Sequence, residues 1–147
     1  MGAEFDRNGL EVLSEEECWQ LLRHQHIGRL AVCIAGQPEI FPVNYVVHED
    51  AIYFLTAEGT KFAGAVLGNG VAFEIDAADP LFHTGWSVMV RGRAVEVETM
   101  DELVVVEELP LRPWGPGVKK RYVRIVADQV TGRRIAVPGQ TGVLTEH

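Results

Sequence analysis

Apolar and polar residues recur along this chain with two different periods, and the changes of period mark out its elements. Cys18, Leu21, Leu22 and Gln25 follow the i, i+3, i+4, i+7 spacing of a helix, with Glu16, Gln20 and Arg23 on the opposite side. Ser14 with Glu17 three residues later is a capping box, Leu13 is placed to staple onto Cys18, and Gly28 is read as the stop. From Arg29 the period becomes two: Leu30, Val32 and Ile34 alternate with Arg29, Ala31 and Cys33 as far as the Gly36-Gln37-Pro38 turn. Strands are predicted at Ile40–Val47 and Ala51–Thr56, joined by His48-Glu49-Asp50, and at Val71–Asp76 after Gly68-Asn69-Gly70.

The run from Trp86 to Glu98 changes parity within itself. Trp86, Val88 and Val90 share one face while Val95 and Val97 fall on the other, so a glycine bulge is expected at Arg91-Gly92-Arg93. Thr99-Met100-Asp101-Glu102 is a second capping box and predicts a short helix from about Asp101, because Val104-Val105-Val106 propagates a helix poorly. Prolines and glycines keep Leu109–Gly117 irregular, a loop that displays Trp114. The last strand is read at Arg121–Val126, running on into Gln129–Ile135. Residues 1–12 read as a loose arm and residues 138–147 as a mobile tail. Many short strands with few helices favour a small antiparallel barrel or sandwich whose helices plug its ends, in one domain over 1–147.

Composition narrows the function. Nearly half the residues are apolar, 47%, too many for a disordered chain. There are 21 acids against 13 Lys and Arg, a formal charge of −8, which makes nucleic acid an unfavourable partner. No apolar run is long enough to cross a membrane as a helix, and Met1–Arg7 carries acids where a signal peptide is apolar, so a cytoplasmic protein is expected. Cys18 and Cys33 lack metal or redox spacing and read as reduced core residues. Histidines 24, 26, 48, 83 and 147 form no metal motif, and no nucleophile elbow surrounds a serine.

The candidate chemistry lies between Phe41 and Asp76. Gly59-Thr60-Lys61 has two readings: an ordinary N-cap with a solvated lysine, or a cradle in which first-turn N–H groups, the Thr60 hydroxyl and the Lys61 ammonium hold a phosphate. Tyr53-Phe54-Leu55-Thr56 reads either as plain sheet or as a strand offering its backbone to a flat ring, with Asn44 and Tyr45 alongside. Glu74 and Asp76 read as a solvated or ion-paired face rather than a catalytic pair. Trp86, Trp114 and Tyr122 are stacking candidates.

The order of these motifs resembles the pyridoxamine 5′-phosphate oxidase-like family, in its branch of small nitroimidazole-reductase-like flavoproteins. The residues that carry the resemblance are the capped helix, Gly28-Arg29-Leu30-Ala31, Pro42-Val43-Asn44-Tyr45, Tyr53-Phe54-Leu55-Thr56, Gly59-Thr60-Lys61, Val71–Asp76 and Gly85–Gly92, over roughly Ser14 to Val97. It implies a mainly β, antiparallel split β-barrel with a few short capping helices, forming a homodimer with flavin mononucleotide (FMN) in each cleft between subunits. It also implies that Thr60 and Lys61 hold the phosphate and that Phe54, Leu55 and Thr56 line the ring with backbone groups. Asn44 would approach from the next strand, and Trp86 and Ser87, together with Trp114, would lie near the cofactor, contributed by the partner subunit. The expected activity is a flavin-dependent oxidoreduction of a small molecule, the alternatives being a deazaflavin-dependent reductase or a flavin-storage protein. The arginine and histidine that hold substrate phosphate at the C-terminus of true pyridoxamine phosphate oxidases are not rebuilt by Arg124, Arg133 and Arg134.

Overall fold

The computed structural model describes residues 3–111 and 119–135. The chain runs β1 (Glu4–Phe5), β2 (Glu11–Val12), α1 (Glu15–His24), β3 (Ile27–Ile34), β4 (Gln37–Asn44), β5 (Val46–His48), β6 (Ala51–Ala57), α2 (Lys61–Val66), β7 (Gly70–Asp79), β8 (Thr84–Glu96), α3 (Met100–Val106) and β9 (Lys120–Arg134). All pairings are antiparallel, in the order β1-β2-β9-β8-β7-β3-β4, with β6 joining β9 to β5.

The architecture is an antiparallel split β-barrel with short helices at its ends. β3 pairs with β7, β7 with β8, β8 with β9, β9 with β6, and β6 with β5. The circuit closes because β4 lies on β3 and the chain bends at Tyr45 into β5. That bend is the split: β5 covers β6 only as far as the Val46–Tyr53 pair, so residues 54–57 of β6 are laddered on the β9 side alone. Pro38 and Pro42 lie in β4, which has a ladder on one side only. A proline there removes an amide that no ladder needs.

Side-chain parity explains the interior. Leu30 and Val32 of β3, Val88, Val90 and Ala94 of β8, and Val123 and Ile125 of β9 point inward and are buried. Cys18 joins them, but Cys33 is exposed, contrary to the sequence reading, because odd positions of β3 face outward with Arg29. The expected bulge exists at Arg91/Gly92, yet its extra residue belongs to β9: Arg91 pairs with Gln129 and Gly92 with Ala127, leaving Asp128 between them. Parity therefore switches in β9, from Val123 and Ile125 to Val130 and Gly132, while β8 keeps even positions inside through Ala94. Val97 lies past β8 and packs in a second cluster with Tyr53 and Val106.

The helices are fixed by caps and tethers. Ser14 and Glu17 form the predicted reciprocal pair, at 3.1 and 2.9 Å. α1 ends at His24 rather than near Gly28, which belongs to β3 and lies under the Phe73 ring. The Tyr45 hydroxyl donates to the Leu22 carbonyl at 2.6 Å, satisfying one of the carbonyls that a helix end leaves open. Burial raises the Tyr45 phenol well above its usual range. In α3, Thr99 accepts the Glu102 amide at 3.3 Å, but the Glu102 carboxylate does not return to the cap. It accepts instead from Arg124 at 2.6 Å and from the Tyr53 hydroxyl at 3.2 Å, a charge-assisted alternative that ties α3 to the sheet.

The first residues are also tied down, unlike the loose arm expected. β2 pairs with the end of β9, and β1 folds back on β2. The Asp6 carboxylate accepts the Asn8 and Leu10 amides, each at 2.9 Å, and the Arg133 Nε at 3.0 Å. The tail at 138–147 falls outside the described residues. No helix among the described residues is long and apolar enough to cross a membrane.

Candidate functional site

The turn at the end of β6 builds the first half of the site. Gly59 takes φ +81°, a left-handed conformation that turns the chain into α2. Thr60 is the N-cap: its hydroxyl accepts the Ala63 amide at 3.1 Å and donates to the Ala57 carbonyl at 2.8 Å. With its proton committed to Ala57, Thr60 organises the turn and is not a free donor. Lys61 is exposed and forms no ion pair among the described residues.

Beside this turn a charge network sets its position. Arg121 of β9 donates to Glu58 at 2.9 Å and to Glu96 at 2.7 Å, while the Glu58 amide donates to the Lys119 carbonyl at 2.8 Å. The Arg121 guanidinium holds the Glu58 carboxyl below its ordinary range. Glu58 therefore faces Arg121 and Lys119, and its charge is balanced on the β9 side of the turn.

The split itself forms an apolar groove of about 340 Å³ lined by Phe41, Pro42, Val43, Ala57, Thr60 and Phe62. The Phe41 and Phe62 rings pack across it at 4.7 Å. Phe54 and Leu55 are buried core side chains, so only their backbone could face a ligand, along the β6 edge that β5 leaves free. Thr56 is fully buried, and its hydroxyl has no hydrogen-bond partner among the described residues. An orphan hydroxyl costs stability unless something occupies it. Asn44 is exposed at the end of β4, paired with Ile27.

Trp86 and Ser87 lie elsewhere. They line a second cavity, of about 330 Å³, with Leu10, Asp76, Arg133 and Arg134, and it shares no lining residue with the groove. Among the sequence candidates, Thr60 lines the groove with Lys61 next to it in the chain, Asn44 ends β4 beside the bend, Thr56 lies buried in β6, and Trp86 and Ser87 line a different cavity. Trp114 falls outside the described residues. Phe41, Pro42 and Phe62 were not among the sequence candidates. The prolines of β4, a mark of an edge strand, were the available signal.

Glu74 and Asp76 are ion-paired, as expected of that face: Arg29 reaches them at 3.5 and 3.4 Å. Burial first, then the neighbouring Asp76 carboxyl, push Glu74 from an ordinary 4.5 up to about 7, with Arg29 pulling the other way. Between these values the folded protein holds a proton that the unfolded chain has lost. This contribution is full below pH 4.5 and is lost as pH rises through about 7. Glu74→Gln is expected to flatten the dependence of Tm on pH across that window. A profile that keeps its wild-type slope there would assign the titration to another group.

The bent strand and the groove it opens define a split-barrel protein with a ligand-sized cleft. Residues 14–134 match the family model described as pyridoxamine 5′-phosphate oxidase, and the chain belongs to that family. An FAD-binding protein from Mycobacterium smegmatis superposes with a TM-score of 0.76 at 40% identity, over 85% of this chain and 99% of that one. An uncharacterized protein of Mycobacterium tuberculosis is 34% identical over 134 residues, 88% of each chain. A Bacteroides thetaiotaomicron structure named for 5-nitroimidazole antibiotic resistance superposes at 0.67 over 91% of this chain and 92% of that one. Its 14% identity makes this a likeness of fold.

Proposed function

We propose that the protein is a flavin-dependent oxidoreductase acting on a small molecule, with FMN seated in the split between two copies of the chain. The observation that carries this reading is the conjunction of a capped turn, a Lys61 that forms no ion pair among the described residues, a strand edge with no ladder partner among them, and a buried Thr56 hydroxyl with no hydrogen-bond partner among them. The flavin-binding Mycobacterium smegmatis relative supports the ligand class. Lys61 and the first-turn amides of α2 would hold the phosphate, with Thr60 shaping the turn. The Phe54–Thr56 backbone and Asn44 would orient the ring, and Phe41 and Phe62 would exclude water. In one chain the groove and the cavity at Trp86 and Ser87 share no lining residue, which supports a composite site completed by Trp86 and Ser87 of a second copy. Bound flavin would supply the electron and hydride chemistry.

Purified protein is expected to be yellow, and the mass of the released cofactor separates FMN from FAD and deazaflavin. Lys61→Ala is expected to weaken flavin binding by about 1.5–3 kcal/mol, one charge-assisted hydrogen bond, by equilibrium titration. An unchanged Kd would remove Lys61 from the phosphate site.

A further inference from the structure

The cavity beside Trp86 is walled by Leu10, Ala77, Ala78, Trp86 and Ile135, with Arg133 and Arg134 at its rim. Neither guanidinium is free. Arg133 donates to Asp6 at 3.0 Å and to the Gly132 carbonyl at 2.9 Å. Arg134 lies 3.4 Å from Glu11, its cross-strand partner, and 3.9 Å from Glu17. Asp76, also at the wall, is 3.4 Å from Arg29. The acids that occupy the arginines come from the N-terminal hairpin and the start of α1. Asp6 has two tasks, because the carboxylate that neutralises Arg133 also accepts the Leu10 amide and so sets a wall of the cavity.

We infer that this cavity takes an uncharged planar aromatic substrate, and that Asp6 and Glu11 determine this specificity by neutralising Arg133 and Arg134 against anionic compounds. The flavin reading is needed only to call the ligand a substrate; ring binding stands without it. Trp86 supplies an aromatic face, and about 330 Å³ lies at the small end of ligand pockets. A carboxylated or phosphorylated ring would have to displace Asp6 or Glu11 from its arginine, or add like charge beside Asp76 in the lining and near the acids that hold the two arginines, Asp6, Glu11 and Glu17. The two adjacent arginines are thus held in ion pairs in the fold.

Naphthamide and naphthoate of the same isomer share a ring and differ by one charge, so their binding to the full-length protein by calorimetry tests the inference. Wild-type protein is expected to bind naphthamide about tenfold more tightly than naphthoate. Ala78→Leu, at an exposed wall position, should abolish naphthamide binding. Asp6→Asn keeps an acceptor for the Asn8 and Leu10 amides, and Asp6→Asn and Glu11→Gln each remove one counter-charge from an arginine. Each is expected to raise naphthoate affinity about tenfold and leave naphthamide within about twofold. Tighter naphthoate than naphthamide binding in the wild type, no gain in naphthoate affinity in either acid variant, or naphthamide binding that survives Ala78→Leu overturns the proposal. Naphthamide binding by a protein that takes up no flavin keeps the cavity and sinks the flavin reading. Flavin uptake without naphthamide binding does the reverse.

Discussion

Replacing Phe73 with alanine is expected to cost about 3–5 kcal/mol of stability, read from the urea midpoint at constant slope. Phe73 is fully buried in β7, where its ring meets Tyr45 edge-on at 4.8 Å and covers Gly28 on the neighbouring strand. Its removal opens a cavity beneath the bend that makes the split, so loosened ligand binding should accompany the lost stability. Gly28 provides the internal check. A methyl group there would clash with the tip of the Phe73 ring, so Gly28→Ala should destabilise the wild type. In the Phe73→Ala background that clash is gone, and the two changes should cost less together than their sum, by on the order of 1 kcal/mol. Strict additivity would mean that ring and glycine do not meet.

Gly92→Ala is expected to cost about 3 kcal/mol, the upper end for overpacking. Its added methyl would collide with the Val126 carbonyl oxygen, 2.9 Å from the carbonyl carbon and 3.2 Å from the Ala127 Cα. The obstacle is backbone, so no side-chain rotation relieves it, and the β8–β9 ladder must open where the Asp128 bulge turns the sheet. Gly70→Ala is the control, because the nearest atom to its added methyl is 3.9 Å away. That change should move stability by no more than about 0.5 kcal/mol. Equal effects of the two substitutions in thermal unfolding would show that the close approach at Gly92 is not a constraint.

Much of this was legible in local patterns, and the failures share a cause. The caps at Ser14, Thr60 and Thr99 involve residues within three positions of one another, so their chemistry is written consecutively. The stop at Gly28 was misread because its glycine answers to a ring on another strand. The bulge was expected in β8 because Gly92 is there, but the extra residue is Asp128 on its partner. The N-terminal arm was read as loose because its ties, Asp6 to Arg133 and Glu11 to Arg134, span nearly the whole chain.

By itself the sequence determined the mainly β class, the helix starts, the inward parity of β3 and the Gly-Thr-Lys turn, since period and capping depend on neighbours along the chain. Only the tertiary structure decided that β4 and β5 bend apart over β6 to leave a groove, and that Trp86 and Ser87 lie at a separate cavity. It also decided that Arg133 and Arg134 are already neutralised. These are facts of pairing between distant segments, and the burial and electrostatics that decide them exist only once the barrel has closed.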